Sequence, residues 1–329
     1  MKSKRILSYK DAIKEALDLA MDCNPDMIMF GEGINDKEGM FGTTTGLSDK
    51  YGTDRVFDVP LSETGMAGVA VGAALAGIHT IYCHNRPDFL YLTMDQIINH
   101  AAKYRYMSGG HCSVPLIIWA PTGQGWGSAA QHSQELHGIF MQIPGLKVIS
   151  PTTPYDVKGM LLAAIQDNNP VIFLDHRKLY SEKGVVPEGI YEVQIGTSCV
   201  RITGKDITIV AISSMVPISQ MACEEMLASG ISAELIDIRS IRPLDVDTII
   251  ASVRKTGRAL VVDNAGPIGG LGAEIAAQIS EKAFGILHAP VKRLSYPDVP
   301  VPATYSLEDE YYITSIKITS EIKKILEHA

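Results

Sequence analysis

The sequence predicts an α/β protein built from two doubly wound domains. Three observations carry this. Apolar runs of strand length alternate with amphipathic segments of helix length along nearly the whole chain. The runs are continuous, as expected of strands covered by helices on both faces of a parallel sheet. The chain has 329 residues, enough for two domains of ordinary size.

The elements follow in order. Residues 8–13 open an amphipathic helix, and residues 27–30 form an apolar strand that ends at Gly31-Glu32-Gly33. Residues 55–59 form the next strand, which runs into Pro60-Leu61-Ser62-Glu63-Thr64-Gly65. There Ser62 is the expected N-cap, and Glu63 stands in the first helical turn, where the helix dipole favours a carboxylate. This helix runs to Ala76 without a polar side chain from Ala67 onward. Residues 79–83 are a strand, followed by a loop and a helix from Met94 to about Met107. Residues 115–120, 146–151 and 171–174 are further strands, with a helix over 155–166. Residues 180–204 contain Gly184, Pro187, Gly189, Gly196 and Gly204 and read as a linker with short extended pieces. A second series follows, with strands at 207–212, 233–238 and 259–263 and helices at 218–228, 245–253 and 272–283. A last helix spans residues 313 to about 326. The expected division is a first domain over 1–180, a linker over 181–204 and a second domain over 205–329.

Composition narrows the function. The chain is 46% hydrophobic and 20% charged, as a globular protein is, and its net charge of −8 without a basic stripe argues against a nucleic-acid partner. Cys23, Cys83, Cys112, Cys199 and Cys223 are scattered and form no CxxC pair, which fits reduced thiols in a cytoplasmic protein. The basic start, Met1-Lys2-Ser3-Lys4-Arg5, leads into no apolar core of a signal peptide, and no apolar run is long enough to span a membrane.

In open parallel sheets, ligands bind beyond the carboxyl ends of the strands. Glu32 follows the first such strand and Glu63 the second. His84-Asn85-Arg86-Pro87-Asp88-Phe89 follows the third. The glycine-rich Gly123 to Gln134 segment, with Gln131 and His132, follows the fourth. His132 is expected to begin a helix, whose dipole would ease proton release near neutral pH. Arg86 suits a carboxylate, because guanidinium pairs with it bidentately. Each has a plain alternative: Glu63 as a capping group, His132 as an ordinary surface histidine, and His84, Arg86 and Asp88 as a salt-bridged loop. Gly269-Gly270 with Gly272 does not complete a dinucleotide fingerprint, so tight packing is its better reading. There is no zinc-type ligand spacing, P-loop or GxSxG elbow.

Taken together, these residues resemble the β subunit of the E1 component of 2-oxo acid dehydrogenases, near the pyruvate and acetoin types. The likeness covers nearly the whole chain. It is carried by Pro60-Leu61-Ser62-Glu63 with Gly65, by Asp95-Gln96-Ile97-Ile98-Asn99, and by Met107-Ser108-Gly109-Gly110. Gln131-His132-Ser133-Gln134, Pro144-Gly145-Leu146-Lys147-Val148, Asp167-Asn168-Asn169-Pro170 and Ile238-Arg239-Ser240-Ile241-Arg242-Pro243 add to it.

The resemblance implies a transketolase-type pyrimidine-binding domain followed by a transketolase C-terminal-type domain. It implies a thiamine-diphosphate enzyme that decarboxylates a 2-oxo acid and passes the acyl group to the lipoamide of an E2 partner. Glu63 matches the glutamate that hydrogen-bonds the aminopyrimidine ring, Phe89 the aromatic stacked on it, and Glu32 an acidic neighbour. His132 matches a histidine that assists acyl transfer. Leu116, Ala164, Ile165, Asp167 and Asn169 match the positions of a potassium site, although the last two also suit a plain turn. The GDG motif that holds Mg²⁺ and the diphosphate does not occur in the chain. The resemblance therefore implies an E1 α-like subunit that supplies this half, in an α2β2 assembly. The departure is the His84-x-Arg86 pair, where pyruvate-type β subunits are more apolar. It leaves open half of a split transketolase-like or carboligating transferase as the alternative, with His84, Arg86 and Gln131 facing the substrate.

Overall fold

The computed structural model describes residues 5–123 and 125–327. The chain forms two compact units, one of Met1–Gly123 with Phe140–Ile195, the other of Gln124–Ile139 with Gly196–Ala329.

In the first unit, β1 (Ile6–Ser8) leads directly into α1 (Tyr9–Cys23), whose N-cap Ser8 accepts from the amide of Asp11. Helix α1 buries Ala12, Ile13, Ala16, Leu17 and Ala20, spaced by three and four residues, which gives it one apolar stripe. Next come β2 (Ile28–Gly31), the short helix α2 (Leu47–Tyr51), β3 (Val56–Asp58), α3 (Glu63–Leu75) and β4 (Thr80–Cys83). After β4 comes a 3-10 turn, Pro87–Thr93, and the helix expected over 94–107 is broken into a π-helical stretch, Gln96–Ala101, and α4 (Tyr104–Met107). The cause is a shift in hydrogen-bond spacing: Ala102 bonds back to Ile97 and Lys103 to His100, so no single helical repeat continues. The unit continues with β5 (Leu116–Trp119), α5 (His137–Met141), β6 (Lys147–Ile149), α6 (Pro154–Ile165), β7 (Val171–Phe173) and β8 (Lys183–Val185). Of α5, only the last residues belong here.

Strands β6-β7-β5-β4-β2-β3 lie side by side and all parallel. The chain moves outward from β2 to β3, then crosses to β4 on the other side. The switch point therefore falls between β2 and β4, the place beyond the carboxyl ends of the strands where such sheets bind ligands. Gly31 closes β2 because β4 passes so near that a Cβ would overlap the carbonyl oxygen of Cys83.

The second unit holds β9 (Cys199–Ile202), β10 (Ile207–Ala211), α7 (Met215–Ala228), β11 (Ala233–Asp237), β12 (Ser240–Arg242), α8 (Val246–Thr256), β13 (Ala259–Val262), α9 (Leu271–Ala283), β14 (Lys292–Leu294), α10 (Tyr305–Tyr311) and α11 (Ser315–Glu327). Its sheet runs β14-β13-β10-β11-β9, parallel except for β9. The switch point here lies between β10 and β13. Helix α8 has a capped start, Asp245 accepting from the amide of Thr248, and a left-handed Gly257 at its end. Among the described residues no helix is long and apolar enough to cross a membrane.

Candidate active site

The carboxyl end of the first unit's sheet brings two of the expected carboxylates near each other. Glu32 follows β2, and Glu63 is the first residue of α3. Ser62 occupies the N-cap position of α3, but its side chain makes no capping hydrogen bond, so Glu63 carries the favourable first-turn charge alone. Burial raises the pKa of Glu32, and the charges of Glu63 and Asp58 raise it further. Asp58 is held by the amide of Gly33 at 2.6 Å.

The wall beside these carboxylates is aromatic. Phe30 lies 5.2 Å from Phe57 and 5.3 Å from Tyr82, centroid to centroid. The Tyr82 hydroxyl donates to the Glu63 carbonyl at 3.4 Å, and its pKa is pushed up by burial and then by Glu32 and Glu63. Thr64 donates to the carbonyl of Leu92 at 2.6 Å, which ties the start of α3 to the 3-10 turn that carries Phe89. Phe89 is 36% exposed and so still has surface to offer a ligand. Two carboxylates beside an aromatic wall suit a flat heterocycle with a basic nitrogen.

His84 and Arg86 sit at the end of β4, on the same side of the sheet. His84 is buried edge-on against Tyr82, 4.3 Å between centroids, and burial lowers its pKa to about 3. Arg86 Nη1 is buried without a hydrogen-bond partner, and burial together with the nearby Arg177 lowers the pKa of this guanidinium. Both guanidiniums approach the Phe41 ring, Arg177 at 3.8 Å and Arg86 at 5.8 Å. Arg177 was not anticipated, because it lies 91 positions beyond Arg86 and nothing local marks it.

Of the residues matched to a potassium site, Leu116 opens β5, Ala164 and Ile165 end α6, and Asp167 and Asn169 lie in the turn after it. The Asp167 carboxylate pairs with Lys147 and accepts from the amide and side chain of Asn169, and Arg105 donates to Asn169 at 3.2 Å. The carbonyl of Ile165 faces His79 Nδ1 at 2.9 Å. A cavity of about 10 Å³ opens beside Ala164 and Ile165, next to Pro115. Among the described residues no cluster of His, Cys, Asp and Glu is arranged to hold a metal.

Gln131 and His132 belong to the second unit. His132 does not begin a helix. Gly125, Trp126, Gly127 and Ala129 all have positive φ, so the backbone cannot enter a helix there, and α5 starts only at His137. His132 is therefore an exposed loop residue that no helix dipole acts on. The histidine at the helix start is His137. Its Nε2 lies 2.9 Å from Asp263 Oδ1, with both side chains at most 3% exposed. Asp263 also accepts from the amides of Ala265 at 3.2 Å and Gly272 at 2.9 Å. Burial alone would lower the pKa of His137, but the charge and hydrogen bond of Asp263 outweigh it and raise it.

Residues 6–183 match the transketolase pyrimidine-binding domain family, and residues 196–318 match the transketolase C-terminal domain family. The chain is 43% identical to the β subunit of acetoin:2,6-dichlorophenolindophenol oxidoreductase from Cupriavidus necator, over 98% of each chain. The chain belongs to the transketolase family. Within it, the chain is also 40% identical to the β subunit of the pyruvate dehydrogenase E1 component from Bacillus subtilis, over 96% of this chain and 97% of that one. A solved split-gene transketolase, an inactive β4 tetramer, shares the transketolase fold with a TM-score of 0.77 at 22% identity, over 98% of each chain.

Proposed function

We propose that this chain is the β subunit of a thiamine-diphosphate-dependent 2-oxo acid dehydrogenase E1, working with an α subunit in an α2β2 assembly. The observation that carries the proposal is the pair Glu32 and Glu63 at the carboxyl ends of neighbouring strands, beside Tyr82 and close to Phe89. Thiamine diphosphate, when bound, supplies the nucleophilic carbon and the electron sink for decarboxylation. Glu63 would hydrogen-bond the ring nitrogen of its aminopyrimidine, with Glu32 beside it and Phe89 over the ring face. Tyr82 and Phe30 exclude water behind them. On the second unit, His132 would handle protons during transfer to a lipoyl group of an E2 partner; on the first, Arg86, with His84 beside it, would pair with the substrate carboxylate.

The diphosphate and Mg²⁺ fall to the α subunit, since Mg²⁺ needs oxygen donors of the GDG type that this chain lacks. The open face of α3 suits such a partner. Val69 is 52% exposed, and an added Cβ at Gly68 or Gly72 would meet nothing of this chain. A potassium ion would rest on backbone oxygens of Leu116, Ala164 and Ile165, near Asp167 and Asn169, whose side chains are already engaged. The half-buried guanidiniums of Arg86 and Arg177 favour a second reading, a carboligating transferase with a more polar substrate.

The test mixes the chain with its α partner, thiamine diphosphate, Mg²⁺ and a panel of 2-oxo acids, using a dye as electron acceptor. Dye reduction that needs both chains, and that Glu63→Gln abolishes without altering assembly on a sizing column, is the expected result. Full activity of Glu63→Gln would defeat the role given to Glu63. Consumption of 2-oxo acid with carbon–carbon bond formation, but no dye reduction, would favour the transferase.

A further inference from the structure

Two guanidiniums meet at the carboxyl ends of strands in the first unit. Arg86 follows β4 and Arg177 follows β7, with β5 between those strands in the sheet. Both lie against the Phe41 ring, Arg86 at 5.8 Å and Arg177 at 3.8 Å from its centroid. One small molecule can therefore reach both. Phe41 is held at a φ of 52°, flanked by Gly39 and Gly42, which also have positive φ. An aromatic residue takes this left-handed conformation only where its surroundings impose it. The loop thus presents the ring to both side chains. A ring quadrupole attracts cations but carries no net charge, so it gathers the guanidiniums without neutralising them.

Arg86 is open to a ligand. Among the described residues it makes no hydrogen bond and no ion pair. Its Nη1 is enclosed, but Nε and Nη2 are not, and the residue as a whole is half-buried. The Nε–Nη2 edge is a fork that grips a carboxylate bidentately. Burial lowers the pKa of Arg86, the charge of Arg177 lowers it further, and Asp88 opposes with a weaker effect. Burial also lowers the pKa of Arg177, against the pull of Tyr180 and Asp175. Asp175 is itself fully buried and accepts from Trp119 Nε1 at 2.6 Å. Like charges half removed from water repel each other, and an anion bound between them relieves that repulsion.

One carboxylate fills one guanidinium fork. Arg86 is the cation expected to hold the carboxylate of the 2-oxo acid, and Arg177 beside it adds a second positive fork. We propose that Arg177 is a specificity-determining residue, and that with Arg86 it selects 2-oxo acids bearing a second acidic group, a carboxylate or a phosphoryl group. Arg177 touches no reacting atom; it holds the far end of the substrate. The inference rests on the proposed thiamine chemistry for turnover, though not for binding, and it holds for lipoyl and aldehyde acceptors alike.

The test runs the dye-linked assay on the assembled α2β2 protein with pyruvate, 2-oxoglutarate and phosphonopyruvate. The expected result is a kcat/KM at least about tenfold higher for one of the two diacids than for pyruvate, and the better diacid identifies the second group. Arg177→Met, which keeps an apolar stem on Phe41, should lower that ratio about tenfold or more, through KM more than kcat, and Arg177→Lys should restore part of it. Equal or better use of pyruvate by the wild type, or an unaltered ratio in folded Arg177→Met, would overturn the inference and leave the proposed function standing. The wild-type ratio keeps the test decisive if the variant does not fold. A second titration needs no turnover: saturation-transfer NMR compares glutarate and 3-phosphonopropionate with butyrate. One diacid should bind at least about tenfold tighter than butyrate, and Arg177→Met should weaken it. If no 2-oxo acid reduces the dye, the proposed function fails and this titration decides alone; butyrate binding as tight as that of both diacids would then overturn the inference.

Discussion

Replacing His137 with Leu removes the charged partner of a carboxylate that is 2% exposed. Orphaning a buried charge outright costs about 3–5 kcal/mol. Asp263, however, keeps two backbone donors, Ala265 and Gly272, and the latter lies in the first turn of the 13-residue helix α9. The loss should therefore be that of one charge-assisted hydrogen bond, about 2 kcal/mol. Hydrogen exchange of the Ala265 and Gly272 amides reads it locally: about 2 kcal/mol is roughly 30-fold faster exchange. The sign with pH follows from the two shifts. The pKa of His137 is raised above its ordinary 6.5, so its contribution is full below that value and lost as pH rises through the folded-state pKa. The pKa of Asp263 is lowered below its ordinary 3.8, so its contribution is present above that value and lost as pH falls through the folded-state pKa. The ratio of variant to wild-type exchange should thus be largest near about pH 6 and smaller near about pH 9. A ratio below about threefold near pH 6, or one that grows toward pH 9, would refute the reasoning.

Three further outcomes are expected. Lys158 is fully buried and donates to Glu15 at 2.5 Å and to the carbonyl of Pro187 at 2.8 Å, so Glu15→Gln should destabilise the first unit by about 3 kcal/mol in denaturant unfolding. Burial opposes ionisation of Glu15, but Arg5 and Lys158 lower its pKa below 4.5, so the wild-type advantage should hold above that value and fade as pH falls through the folded-state pKa. The ring signals of His84 should not titrate between about pH 8 and pH 5, since its pKa is about 3, and a midpoint near 6.5 would place it in solvent instead. Gly145→Ala should cost several kcal/mol, about 3 or more, in thermal unfolding, because φ is +101° and the new Cβ would overlap the carbonyl oxygen of Ala102. A near-neutral effect would mean that the turn can move.

The parallel strands were legible because their apolar runs are continuous, as in Leu116–Trp119 and Ile207–Ala211, and they end where Gly, Pro or polar residues interrupt them. Glu32 and Glu63 were legible for the same reason, since strand ends position them. The signal failed where backbone conformation rather than side-chain pattern decides. Residues 94–107 keep a helical apolar pattern, yet their hydrogen bonds switch spacing. Around His132 the glycines suggested a loop, but Trp126 and Ala129, non-glycine residues at φ of 60° and 59°, carry no mark that delays the helix to His137. Partners distant in the chain were invisible. His137 and Asp263 are 126 positions apart, and Arg86 and Arg177 meet only because β4 and β7 lie in one sheet. The short strand β14 was also missed, because Lys292-Arg293-Leu294 at the sheet edge has almost no apolar content.

Thiamine-diphosphate titration with Mg²⁺, followed by calorimetry, tests the divided cofactor site most directly. It would be run on this chain, on its α partner, on their mixture, and on a mixture carrying Glu63→Gln. The account predicts saturable binding by the mixture only, weakened when Glu63 is changed. Tight binding by this chain alone, or no binding by an assembled mixture, would contradict it.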